Sequence, residues 1–315
     1  MQPEGGITRR DVLKNLIRLS AAAACAGVLP VPPHRPATAR AETGKTGFIV
    51  EGLGQREGYS VKELVDRVFE AAGGIKRFIS RGDVVVVKPN LSWARKPDLA
   101  ATTNPEVLKA VVEVCLDGGA KKVRIADHTI HDAKRCFAIS GAGMVAKETG
   151  ADLVFPRSSL MRDMKINGSR LDIWPVFVPV VEADKLINLP IAKHHSLTTL
   201  TLGMKNWIGA VGGSRWALHQ DIHQTIVDLA RFFKPTVTLI DATRILTRNG
   251  PSSGNASDVS AKNTLILSDD PVAADAKASL LFGKQPEELG FIVLGQKQGL
   301  GTYELNHLDQ EAVRL

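Results

Sequence analysis

Gly82-Asp83-Val84-Val85-Val86-Val87-Lys88-Pro89-Asn90 is the stretch that decides the fold. Four consecutive β-branched residues after a Gly-Asp turn make a strand with no polar face, the pattern of a parallel strand buried on both sides. Such a strand needs helices above and below it, and the flanking sequence supplies them. Upstream, Ser60-Val61-Lys62-Glu63 has capping-box spacing and opens a helix to about Ala72. Downstream, Asn104-Pro105-Glu106 provides an N-cap, a first-turn proline and an acidic first turn. That helix runs to Asp117 and stops at Gly118-Gly119, and Val123-Arg124-Ile125-Ala126 is the next strand. The alternation predicts an α/β fold, a mostly parallel sheet with helices on both faces.

Further along, the pattern predicts a helix over 143–149, a strand over 152–155 and a strand over 185–189. Asn167-Gly168, between Met164-Lys165-Ile166 and Leu171-Asp172-Ile173, reads as the turn of an inserted β-hairpin. Residues 219–233 are amphipathic, 236–240 and 264–267 read as strands, and 271–281 and 286–297 as helices. Neither a repeat nor a low-complexity linker interrupts this, so residues 42–315 are expected to form one α/β domain.

Residues 1–41 read differently. Thr8-Arg9-Arg10-Asp11-Val12-Leu13-Lys14, an apolar Ala-rich stretch and the small-residue run Ala37-Thr38-Ala39-Arg40-Ala41 have the order of a twin-arginine signal peptide. Arg18 interrupts the apolar stretch and makes it too weak to span a membrane. Cys25 sits where a lipoprotein cysteine would, but Ala22 replaces the Leu-like residue needed three positions earlier. The expectation is a mature chain with no transmembrane segment, carried by the twin-arginine translocase to a periplasmic or extracellular destination. That route takes folded cargo, which favours a bound metal or organic cofactor. Removing the signal takes away six basic and two acidic residues and lowers the formal charge from +7 to +3. With so mild a balance and few aromatics, a nucleic-acid partner is not expected. Cys115 lies in an apolar run and reads as a small core residue, and a bridge from it to Cys136 is left open.

Ligands of open parallel sheets bind beyond the carboxyl ends of the strands. Five predicted strands end in polar groups: Lys88-Pro89-Asn90, Asp127-His128, Lys193-His194-His195, Asp241, and Ser268-Asp269-Asp270. Each alone is what ends a strand, and Asp270 before Pro271 is a plain helix cap. Together they put lysine, histidine and carboxylate along one edge. Six of the eight histidines fall in three close sets, His128 with His131, His194 with His195, and His219 with His223. The last pair has the i, i+4 spacing that can chelate a metal on a helix. A transition-metal site from His194, His195 and His219 with an Asp is one expectation. The segment Leu202 to Arg215 adds glycines and the cations Lys205 and Arg215, without the order of a P-loop. Neither HExxH nor GxSxG occurs, so neither a zincin nor a serine hydrolase is expected.

Lys88-Pro89-Asn90, Thr103-Asn104-Pro105, Asn188-Leu189-Pro190, Lys193-His194-His195, Lys205-Asn206 with Gly209, His219, Gly250-Pro251 and Asp269 with Val272-Ala273-Ala274-Asp275 together resemble the DUF362 family of uncharacterised proteins. The resemblance runs from about Val84 to Gly301. Many relatives carry an appended ferredoxin module; its cysteines are missing here, so no iron–sulfur cluster is expected. The family's lysine with a histidine two places on maps to Lys193 and His195, with His194 where a small polar residue is usual. The reading that results is a site for a small anionic ligand or a metal-containing cofactor. Lys88, Lys193, Lys205 and His195 are its catalytic candidates, and Asn90, Asn206, Asp241 and Asp269 are its ligand-binding candidates. The competing readings are a non-catalytic cofactor carrier or maturation protein for an exported partner, and a structural export partner.

Overall fold

The computed structural model describes residues 47–315. The twin-arginine segment, its cleavage site and Cys25 lie outside the described residues. The chain opens with β1 (Phe48–Leu53), α1 (Val61–Ala71), β2 (Val84–Pro89), α2 (Pro105–Asp117) and β3 (Lys122–Ala126). It continues through α3 (Ala133–Ile139), α4 (Ala142–Thr149), β4 (Asp152–Val154), β5 (Met161–Lys165), β6 (Ile173–Phe177), α5 (Val178–Val181) and β7 (Lys185–Leu189). Then come β8 (Ile191–His195), β9 (Thr199–Thr201), α6 (Arg215–His219), α7 (Ile222–Phe233) and β10 (Val237–Leu246). β11 (Val259–Ser268), α8 (Pro271–Ser279), α9 (Gly290–Lys297) and β12 (Asp309–Arg314) complete it.

The main sheet has the order β12-β1-β11-β10-β7-β2-β3-β4, and β8 pairs with β10 farther along than β7 does, with β9 on β8. β10, β7, β2, β3 and β4 are mutually parallel, as the valine run predicts. The run divides between both faces: Val85 and Val87 pack with α1 and α2, while Val86 joins the opposite core with α7, α8 and α9. The caps also hold. Ser60 Oγ accepts from Glu63 N–H, Asn104 Oδ1 from Glu106 N–H, and Asp270 from Val272 and Ala273 N–H. Among the described residues no helix is long and apolar enough to cross a membrane.

Three expectations are corrected. β11 pairs antiparallel with both of its neighbours, β1 and β10, so its carboxyl end lies at the edge opposite the carboxyl ends of β2 and β7. Asp269 therefore sits away from the Lys88 edge, where it accepts from Phe48 N–H at the start of β1 and faces Arg77 at 3.9 Å. The amphipathic stretch 219–233 is two helices, since Asp221 caps α7 by accepting from Gln224 N–H and the break separates His219 from His223. His223 instead stacks on Phe291 with ring centroids 6.2 Å apart.

The third correction concerns the hairpin. β5 and β6 form a separate antiparallel pair, but the reversal falls at Ser169-Arg170 rather than Asn167-Gly168, closed by Gly168 N–H to Leu171 O at 2.8 Å. The cause is Asp228 of α7, whose buried carboxylate accepts from Ser169, Arg170 and Leu171 N–H at 3.0, 2.7 and 2.9 Å. Gly168 lies so close to that carboxylate that a Cβ there would overlap it. Asp228→Ala is expected to cost about 3 kcal/mol by leaving these donors unpaired. Urea unfolding at unchanged slope measures it, and a loss below about 1 kcal/mol would show that the hairpin does not depend on the carboxylate.

Candidate functional site

Lys88 leaves β2 on the side of the Met204–Ala210 segment and is fully buried. Its ammonium donates to Asp127 Oδ1 at 2.5 Å, Pro89 O at 2.8 Å and Asn206 Oδ1 at 3.1 Å. Three acceptors use all three N–H groups of a charged lysine. Burial pushes the Lys88 pKa down, and the charge and hydrogen bond of Asp127 oppose that shift. Asp127, directly after β3, also accepts from Leu91 N–H at 2.7 Å. A side chain at Gly209 would collide with both partners of the pair. Lys88 is thus a structural cation, held away from ligand rather than offered to it.

Asparagines extend this rack. Asn206 donates to Lys88 O at 3.1 Å and Asn188 Oδ1 at 2.9 Å, and Asn188 donates to Gly203 O at 2.9 Å. Gly203 and Met204 donate their N–H groups to Asp275 of α8, at 2.6 and 2.9 Å. Burial lifts the Asp275 carboxyl to about 7 against the pull of those two donors. Thr103 receives Asn90 N–H at 2.8 Å and donates to Leu189 O at 2.9 Å. Asp241 is not at a strand end, because β10 runs on to Leu246; its carboxylate takes Asn104 N–H, Thr243 N–H and the Thr243 hydroxyl. It anchors the start of α2 and does not face the cavity.

On the open side of this rack lies a cavity of about 60 Å³, lined among others by Asn90, Lys193, His195, Thr201, Lys205, Asn206, Arg215 and His219. The sequence-predicted residues Asn90, Lys193, His195, Lys205, Asn206 and His219 therefore converge, while Lys88, Asp241, Asp269 and His194 do not line it. Successive residues of a strand face opposite ways, so Lys193 and His195 of β8 share the cavity side and His194 turns away. His194 Nδ1 accepts from Gly250 N–H at 3.1 Å.

The cavity's charges are unbalanced. Lys193 donates only to the neutral oxygens Asn90 Oδ1 and Ala101 O, at 3.2 and 2.5 Å. Lys205 has no hydrogen-bond or ion-pair partner among the described residues, and the buried Thr201 hydroxyl is likewise unpartnered. Burial lowers Lys193 to about 7, with the Lys205 charge adding to the effect. Burial and Arg215 lower Lys205 to about 7 as well. Arg215 donates to His128 O at 2.9 Å, and the pKa of its guanidinium is also lowered by burial.

The two cavity imidazoles stack with centroids 6.4 Å apart, and the backbone gives them different tautomers. His195 Nδ1 accepts from Leu197 N–H at 3.1 Å, so the proton of the neutral ring is on Nε2. Burial and the neighbouring lysines hold His195 down at about 3, hence neutral. His219 Nδ1 donates to Arg215 O at 2.6 Å, which leaves an Nε2 lone pair. The expected His194, His195 and His219 metal trio is corrected on these grounds: one ring turns away and a second carries a proton on Nε2. Among the described residues no group of three or more His, Cys, Asp or Glu is placed to hold a metal. Asp127 was visible as a strand end next to Lys88, yet only the β2–β3 pairing makes them partners; Thr201 carried no signal at all.

This architecture, a parallel sheet with a cation-rich cavity at its carboxyl edge, defines the class of protein. The chain belongs to the DUF362 family, whose model, described as a domain of unknown function, matches residues 85–279. It is similar to the thylakoid-associated protein sll1697 of Synechocystis sp., at 25% identity over 254 residues that cover 76% of this chain and 77% of the relative. Among solved structures it is similar to the lactate racemase apoprotein of Thermoanaerobacterium thermosaccharolyticum, with a TM-score of 0.46 and 14% identity. That match covers 75% of this chain and 57% of the other.

Removing Lys88 leaves Asp127 charged and buried. Lys88→Met is expected to cost about 3–5 kcal/mol in chemical unfolding, and Lys88→Met with Asp127→Leu to recover much of that. A single variant that loses less than about 1 kcal/mol would return Lys88 to the catalytic candidates.

Proposed function

We propose that the chain is an exported protein that binds a small organic anion at the carboxyl edge of its sheet and exchanges a proton with it. The observation that carries this is the set of unpartnered donors on one small cavity: the Lys205 ammonium and the Thr201 hydroxyl, beside Arg215. Buried cations without carboxylates are costly, and an anionic ligand repays that cost. Lys205, Arg215 and Thr201 hold the anion. His219 Nε2 accepts a proton from it, and Lys193, poised near neutrality, takes up or returns one. His195, kept neutral, donates a hydrogen bond to charge that develops on the ligand, as an uncharged imidazole can. A transition metal has no place in this reading, because of the two histidines lining the cavity only His219 turns an imidazole lone pair to it. Export rests on Arg9-Arg10 and the apolar segment after them.

The sign of the pH dependence follows from the lysines. Both are lowered to about 7, so their positive charge is present below that pH and is lost as pH rises through it. Calorimetric titration with acetate or inorganic phosphate is expected to show affinity falling about 10-fold from pH 6 to pH 8 for each lysine that must be charged. Lys205→Met should weaken binding at pH 6 and flatten the slope. No binding of either anion, or an affinity independent of pH in that window, sinks the proposal.

Export is checked separately by fractionating cells that express the full chain. The wild type is expected outside the cytoplasm, and Arg9→Lys with Arg10→Lys is expected to be retained. Equal export of both forms would remove the twin-arginine reading.

A further inference from the structure

The cavity is small, about 60 Å³, and open to solvent on one side. A carboxylate head can sit among the cationic lining residues, and the rest of a larger ligand extends toward the open side. Trp93 and Ile130 are apolar members of the cavity lining, and Ile130, 43% exposed, carries that lining out to the surface as a rim. Their segments are fixed to one another, since Ser92 O accepts from both Ile130 and His131 N–H at 3.0 and 3.1 Å, and the Trp93 ring meets His131 edge-on at 4.9 Å.

Two more large apolar side chains stand beside cavity residues. Trp216, 74% exposed, follows Arg215 and lies three residues before His219 in α6, on the same helical face. Leu197, 61% exposed, stands two residues after His195 in the β8–β9 turn. Exposed apolar side chains scattered singly, as Trp216 and Leu197 are, need no explanation, but Trp93 and Ile130 in the lining of a charged cavity do.

We infer that the ligand is a monocarboxylate with an apolar tail, its head on Lys205, Arg215 and Thr201 and its tail over Trp93 and Ile130. The inference rests on the anion reading above and adds the class of anion. An inorganic anion or a short hydrophilic acid would leave this rim uncovered. Each methylene placed on the rim removes apolar surface from water on both partners and raises affinity about threefold to fourfold.

Titration of the full chain at pH 6 with acetate, butyrate, hexanoate and octanoate tests it, with 3-phenylpropanoate added to separate an aromatic from an aliphatic tail. Affinity is expected to climb by about threefold per methylene until the rim is covered. Trp93→Ala should lower octanoate affinity more than acetate affinity, and Lys205→Met should weaken the entire series, which ties tail and head to one site. Octanoate binding that survives Lys205→Met unchanged would place the tail elsewhere and overturn the inference. Acetate binding with no gain along the series overturns the tail and leaves the anion site standing. Failure of every carboxylate and of phosphate overturns both.

Discussion

The Lys88–Asp127 pair is the interaction on which the site depends. It joins the ends of β2 and β3 to the segment carrying Lys205 and Asn206, because the Asn206 amide bonds to the same lysine through both its side-chain ammonium and its backbone carbonyl. A buried ion pair adds little net stability over an apolar replacement, so its value lies in what it fixes. Here it fixes a distance. Gly209 lies against the pair with no room for a Cβ, and His128 N–H donates to Gly209 O at 2.7 Å, so the segment is drawn onto the sheet edge. Lys205 and Arg215 are carried on either side of that contact.

Neutralising one lysine while leaving others unpaired is a division of labour. Lys88 has three acceptors, one of them a carboxylate; Lys193 has two neutral ones; Lys205 has none among the described residues. Burial pushes all three down, and only Lys88 has a hydrogen-bonded carboxylate to oppose the shift. Depressed lysines are a cost to the empty protein, and a protein that merely needed a filled sheet edge would place methionine or leucine there. The arrangement makes sense where an acceptor arrives from outside.

The sheet's central strands and their helices were legible because local signals agreed with the global arrangement: a valine run for a doubly buried strand, Asn-Pro for a helix start, Gly-Gly for its end. What escaped depended on pairing. β1 and β12, at one edge of the sheet, lie more than two hundred residues apart in sequence yet pair in parallel, and no local pattern announces that. The direction of β11 was equally invisible, and with it went Asp269, a correct strand end on the wrong edge. His219 and His223 kept their spacing but lost their common helix to the Asp221 cap. Of the residues that resemble the family, many proved to be scaffold: Thr103, Asn104, Asn188 and Asp275 hold backbone, and through it the few side chains that face the cavity.

The lysine and histidine two places apart illustrate how much a strand assignment adds to a motif. As a polar segment, Lys193-His194-His195 leaves either histidine free to serve. As β8, it sends Lys193 and His195 to the cavity and His194 to Gly250, so the spacing of two is a statement about facing. Backbone then sets chemistry. A donated N–H from Leu197 puts the His195 proton on Nε2, while the accepting Arg215 carbonyl strips it from Nε2 of His219. Two stacked rings of one residue type thereby present opposite groups to the cavity, an N–H donor and a lone pair. The proposed proton exchange uses that difference, a donor on one ring and a lone pair on the other.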